Sequence, residues 1–157
     1  MADRFTVHDT FVIEHTYNVP PAKVFAALSS AAAKSNWFGA DEGNALAPLE
    51  MDFRVGGQEK FTAQHGGTVY KYLATYQNIV PGQRIVSTYN MWLNDELMSV
   101  SVATVDLTPA GNVTKLTYTE QGVYLDGLDK PADRLHGTKE ILKSLGEYVE
   151  IADEAKG

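Results

Sequence analysis

The runs TVYKYLATYQNIV (68–80), PG (81–82), RIVSTYNMW (84–92), ND (94–95), MSVSVATVDL (98–107), PAGN (109–112) and VTKLTYTEQ (113–121) set β-branched and aromatic residues between turn formers at regular intervals. That punctuation is the mark of an antiparallel meander. Working back to Leu49, with Gly56-Gly57 and Gly66-Gly67 as further breaks, the stretch Leu49–Gln121 reads as six successive strands with no helix among them. Upstream, Thr10–Val19 alternates as a seventh strand, with Phe11, Ile13, His15 and Tyr17 on one face. Pro20-Pro21 then stops the strand and opens a short helix to Ser29, since proline suits a first helical position. Ser30 or Ser35 caps a second short helix through Ala31–Lys34, which ends near Trp37-Phe38-Gly39.

Downstream lies one long helix, Pro131 to Ala152. Leu135, Thr138, Ile141, Leu142, Leu145, Tyr148, Val149 and Ala152 form its apolar stripe, opposite Lys139, Lys143, Glu147, Glu150 and Asp153. A helix is about 10–12 Å across, whereas seven strands spaced about 4.8 Å apart make a sheet roughly 30 Å wide. One helix cannot cover that sheet flat, so the sheet must curl around it. The expected fold is α+β: a curved seven-stranded antiparallel sheet around a long C-terminal helix, with two short helices after the first strand. A half-closed sheet around one helix leaves space between them.

The composition fits one domain, residues 1–157, with 44% hydrophobic and 21% charged residues. A net charge of −7, without a lysine or arginine cluster, argues against nucleic acid. The absence of cysteine excludes disulfides and thiolate metal sites and suits a reducing compartment. Met1-Ala2-Asp3-Arg4-Phe5 has no apolar signal core, and no segment approaches the roughly 20 apolar residues of a membrane span. A cytoplasmic location without membrane insertion is expected. His8, His15, His65 and His136 are scattered singly, so no metal and no cofactor is expected. His15 reads as a hydrogen-bonded core residue. Gly56-Gly57 lies between strands rather than before a helix and so forms a turn, not a phosphate loop.

Several pieces, in order, carry a resemblance: PAKVFAAL (21–28), Trp37, DFRVGG (52–57), IVPGQRIV (79–86), NVTKLTYTE (112–120) and Gly137 in the last helix. The chain resembles the heat-shock-protein ATPase activator homologues (Aha-like) of the START/SRPBCC superfamily. Their helix-grip fold is shared by birch-pollen-allergen-like proteins and aromatase/cyclases. The resemblance implies a helix-grip fold and a small-molecule cavity, with a stress-related role among the family's themes. In the eukaryotic co-chaperone such a domain is joined to a separate chaperone-contacting domain. At 157 residues this chain is expected to hold only the one, and chaperone ATPase activation is not expected of it.

Ring-bearing positions supply the candidate walls of the cavity: Trp37, Phe38, Phe53, Phe61, Tyr72, Tyr76, Tyr89, Trp92 and Tyr118, with Tyr124 near the end. For any one of them, core packing competes with ligand contact. A buried phenol needs a hydrogen-bond partner, and eight tyrosines exceed what a dry core easily satisfies. Leu116, Tyr118 and Glu120 share the face opposite Lys115, Thr117 and Thr119, so Glu120 is expected inward, near the cavity mouth, as ligand anchor, general base or plain strand-end carboxylate. On the last helix, Ile141 is a wall candidate. Gly137 and Gly146 each cost about 1 kcal/mol in a helix interior, for close approach to the sheet or, at Gly137, for room beside a ligand.

Three functions follow. The first is a carrier or sensor of a small hydrophobic or amphipathic molecule; the second is a cyclase- or dehydratase-like enzyme using the same cavity. The third is a protein-interaction module, chaperone-associated or homodimeric, which requires an exposed apolar patch; solvated Lys71, Lys115, Thr117 and Thr119 count against it.

Overall fold

In a computed structural model that describes residues 3–38, 46 and 48–156 (side chains to 151), the meander forms as its turn chemistry requires. The strands are β1 (Thr6–Tyr17), β2 (Glu50–Met51), β3 (Gln58–His65), β4 (Thr68–Val80), β5 (Arg84–Leu93), β6 (Glu96–Ala110) and β7 (Val113–Leu125). The helices are α1 (Pro21–Ser29), α2 (Ala31–Lys34) and α3 (Pro131–Lys156). All pairings are antiparallel, in the order β1-β7-β6-β5-β4-β3-β2. The long closing connection carries α1 and α2 from β1, on one edge, to β2 on the other.

Some boundaries differ from the sequence reading. β1 begins at Thr6, because Thr6–Asp9 find partners along Gly122–Leu125, and it ends at Tyr17, where Asn18 N–H turns to the Glu150 carboxylate. β6 runs through Pro109-Ala110, paired with Thr114 and Val113. Pro109 is tolerated there because β5 begins at Arg84, opposite Asp106, and leaves β6 without a partner on that side three residues before the proline. Ser30 caps α2, accepting from Ala33 N–H, whereas Ser35 sits at its C-terminal end. Gly39, expected to end that turn, lies outside the described residues, as do the side chains of Ala152 and Asp153.

Register shifts that leave Gln77 of β4 and Met98 of β6 as extra residues bend β4 and β6 and help to curl the sheet. Gly57 is required by close approach: a Cβ there would lie 2.0 Å from the Asp52 carbonyl oxygen. The core is formed by Phe11, Ile13, Tyr17 and Leu116 from the sheet, Val24, Ala27 and Leu28 from α1, and Leu142, Leu145 and Val149 from α3. Tyr17 pins α3 by donating to the Leu142 carbonyl at 2.8 Å. Gly146 lets its ring in, since a Cβ would come within 2.7 Å of the Tyr17 ring.

The helix therefore packs against β1 and α1 and stands off the β3–β5 half of the sheet. His15 stacks on Tyr17 with ring centroids 4.6 Å apart. Lys71 and Lys115 are exposed, and Thr117 and Thr119 half-buried. That outer face also exposes Val12, Val100 and Val102. No described helix is long and apolar enough to cross a membrane.

Candidate functional site

Where α3 stands off the sheet there is a cavity of about 450 Å³. Its floor is the inner row of β3 to β7, including Phe61, Tyr72, Tyr76, Tyr89 and Tyr118, and its roof is α3 through Arg134, Gly137, Thr138, Ile141 and Leu142. The end of α2 closes one side with Lys34, Trp37 and Phe38. Trp37 is fixed by donating Nε1–H to the Ala27 carbonyl at 3.1 Å. Phe38 meets Phe61 at 6.0 Å and Tyr72 at 5.3 Å between ring centroids, and Tyr72 continues the ring wall to Tyr89 at 5.2 Å. Such a ring-lined space with a few polar groups is the usual form of a small-molecule site.

Two carboxylates are buried in this region. Glu120 Oε1 accepts from the hydroxyls of Tyr118 (2.6 Å) and Tyr89 (2.7 Å). Arg134 crosses from α3 to meet them: Nη1 donates to Tyr89 Oη at 2.9 Å and to Glu120 Oε2 at 3.5 Å, and Nη2 donates to Ser99 Oγ at 2.7 Å and Asp129 Oδ2 at 2.9 Å. Its guanidinium also lies over the rings of Tyr89 and Tyr124, at 5.6 and 5.3 Å. The second carboxylate, Glu59, has no exposure to solvent. Its Oε1 accepts from the Tyr76 hydroxyl and from Lys34 Nζ at 3.0 Å; its Oε2 lies 2.9 Å from Lys34 Nζ at ion-pair distance, without hydrogen-bond geometry. Lys34 Nζ also sits 4.7 Å from the Phe38 ring centre.

The electrostatics follow from burial. Tyr89 is pushed up chiefly by burial; the Arg134 charge pulls the other way, and Glu120 adds to the rise. Burial, then Tyr89 and Glu120, raise Tyr118. Tyr76 and Tyr72 rise through burial and then the Glu59 charge. Tyr124 is pushed up to about 12 by burial, with Arg134 opposing. For Arg134, burial disfavours the charge, but Tyr89, Glu120 and Asp129 together outweigh it, so the net shift is upward. The phenols thus stay protonated at neutral pH, and those of Tyr76, Tyr89 and Tyr118 serve as hydrogen-bond donors to the carboxylates.

Of the expected wall residues, Trp37, Phe38, Phe61, Tyr72, Tyr76, Tyr89, Tyr118, Gly137 and Ile141 face the cavity. Phe53 does not. It packs edge-on between Phe25 and Tyr76, at 5.7 and 5.0 Å, behind the wall. Trp92 also points elsewhere: three residues beyond Tyr89, it takes the opposite face of β5, paired with Lys71. Glu120 and Tyr124 lie behind the wall too, with Glu120 1% exposed rather than at a mouth. Around Gly137 a Cβ would meet no atom within 4 Å, so this glycine opens space, whereas Gly146 serves close approach.

Three polar residues escaped the sequence reading. Glu59 shares the period-two face of Phe61 and Ala63, and Arg134 shares the helical stripe of Thr138, Ile141 and Leu145; both spacings were signals. Lys34, at the end of a four-residue helix, had none. Among the described residues no three His, Asp or Glu side chains group as metal ligands.

The family model described as "Activator of Hsp90 ATPase homolog 1-like protein" matches residues 18–150. The chain belongs to that family. A solved structure of an uncharacterized protein from Rhizobium leguminosarum is 38% identical, with a TM-score of 0.89 over 94% of this chain and 98% of that one. The Mll3558 protein from Rhizobium loti is 41% identical, with a TM-score of 0.85 over 92% and 99%. Ara h 8.0201, at 19% identity and a TM-score of 0.70 over 91% and 98%, shares the fold. No curated protein matches the chain. The helix-grip architecture of this family member is thus established on its sequence, its topology and its structural relatives.

Proposed function

We propose that the chain is a carrier or sensor of a small hydrophobic or amphipathic molecule, held between the sheet and α3. The observation that carries this reading is the ring-lined cavity of about 450 Å³, roofed by a helix whose Gly137 leaves space rather than filling it. Rings supply apolar contact, and the polar groups at its wall orient the ligand. The wall residues proposed to touch it are Trp37, Phe38, Phe61, Tyr72, Tyr76, Tyr89, Tyr118, Gly137 and Ile141. Nile red titration tests this: Trp37→Ala should weaken probe binding several-fold with an unchanged far-UV spectrum, and equal binding by both proteins refutes the reading. Native mass spectrometry of protein from its own host would show a retained ligand directly.

A cyclase- or dehydratase-like activity is the second reading. It is favoured by Tyr89 and Tyr118, which lie on the wall and hydrogen-bond to Glu120, so that two polar groups are within reach of each other. It is disfavoured by the same bonds: both phenols hold their protons tightly, and Glu120 is screened from the cavity. Binding without turnover is therefore the better account. A charge of −7 fits a small-molecule binder without nucleic acid as partner, and the cysteine-free composition is compatible with the cytoplasmic location that belongs to this proposal.

A further inference from the structure

We propose that the cavity discriminates by charge: it takes ring compounds that present hydrogen-bond donors, hydroxyl or amine, and excludes carboxylates of the same carbon skeleton. This rests on the ligand-binding reading above. Among the described residues the lysine and arginine side chains at the cavity wall are Lys34 and Arg134. Both are engaged, Lys34 by the two oxygens of Glu59 and Arg134 by Glu120, Asp129, Tyr89 and Ser99. Against these two cations stand four carboxylates: Glu59, Asp129 and Asp133 on the wall and Glu120 behind it, so the formal charge of the six groups is −2.

A ligand carboxylate entering this space gives up its hydration, finds both cations already taken, and meets a net like charge. A donor meets the reverse. The protons of wall residues Tyr76 and Tyr118 are committed to Glu59 and Glu120, so what these hydroxyls have left to offer a ligand is acceptor capacity.

The test is isothermal titration calorimetry of the full chain at neutral pH with naphthalene-2-methanol and naphthalene-2-carboxylate, which share a ring system and differ in the charge of one group. The alcohol should bind at least about tenfold more tightly, the effect of one uncompensated like charge at the effective dielectric of a partly wet protein site. Replacing Asp129→Asn together with Asp133→Asn should narrow that ratio. Equal or tighter binding of the carboxylate, or failure of the alcohol in protein that still takes Nile red, overturns this inference alone. Refusal of Nile red as well, by folded protein, overturns the ligand-binding reading and this inference with it.

Discussion

Gly137 and Gly146 stand nine residues apart on one helix and have the same intrinsic cost, so replacing each in turn separates the cavity from the core. Alanine improves helix propensity at either position by about 1 kcal/mol. At Gly137 the new methyl meets no atom within 4 Å, so Gly137→Ala should stabilise by about that amount. At Gly146 the methyl would lie 2.7 and 2.9 Å from two ring carbons of Tyr17, which is fully buried and tied to the Leu142 carbonyl, so the ring has no room to retreat. Overpacking costs of about 1–3 kcal/mol then exceed the propensity gain, for a net loss of about 1–2 kcal/mol. In a domain of this size about 1 kcal/mol moves the melting temperature by roughly 2–4 °C, so the two variants should fall on opposite sides of wild type in a calorimetric or far-UV melt. Gly137→Leu extends the test to function: it keeps the helical gain but projects four carbons into the cavity, and should abolish Nile red binding in a protein at least as stable as wild type. A destabilised Gly137→Ala, or a Gly137→Leu protein that still binds the probe, would falsify the placement of this cavity.

Three further outcomes follow from the buried polar groups. Arg134→Met leaves Glu120 without its cation and should cost about 3–5 kcal/mol in urea unfolding, while Arg134→Met with Glu120→Gln should recover part of it; additive losses would mean that the two do not interact. Lys34→Met likewise strands Glu59, and should destabilise more than the surface change Lys115→Met, which alters a partner of exposed Glu14. Alkaline titration reads the phenols: the unfolded chain loses tyrosine protons near pH 10, whereas Tyr17, Tyr72, Tyr76, Tyr89 and Tyr118 hold theirs to higher pH when folded. Above pH 10 the unfolded state therefore binds fewer protons and stability falls as pH rises. Absorbance at 295 nm should show these phenols ionising in one step with loss of the far-UV signal; gradual ionisation with the fold intact would refute their burial.

The sheet was legible because its signals are local. Turn residues recur at each break, and alternation fixes which face of β7 carries Leu116, Tyr118 and Glu120. The helices were legible from Pro21 and from the stripe of α3. Trp92 shows where ring content misleads: an aromatic residue is placed by its parity with Tyr89, and a spacing of three puts it on the other face. Phe53 was misread for a different reason, since it lies in the bend between β2 and β3, where no period applies. The tyrosine count reads as more phenols than a dry core easily satisfies, yet Tyr17, Tyr76, Tyr89 and Tyr118 find protein acceptors, a helix carbonyl and two carboxylates. Glu59 and Arg134 were hidden by their type. Charged residues are rarely fully buried, so a reading by hydrophobicity assigns them to solvent even when strand or helix period puts them inside.

These same buried charges explain why the cavity stays open. Apolar burial favours bringing α3 down onto the sheet, as it does at Tyr17, Leu142 and Leu145. Over β3–β5 the helix is held off by Arg134, whose guanidinium spans to Tyr89 on β5, Ser99 on β6 and Glu120 on β7. On the far side the Lys34–Glu59 pair ties the end of α2 to β3. Shifting either helix inward would break charge-assisted bonds in a low-dielectric setting, where an unpaired ion costs several kcal/mol. The two clusters act as struts at opposite sides of a space bordered by rings and aliphatic side chains, and the gap they maintain is what a ligand would fill.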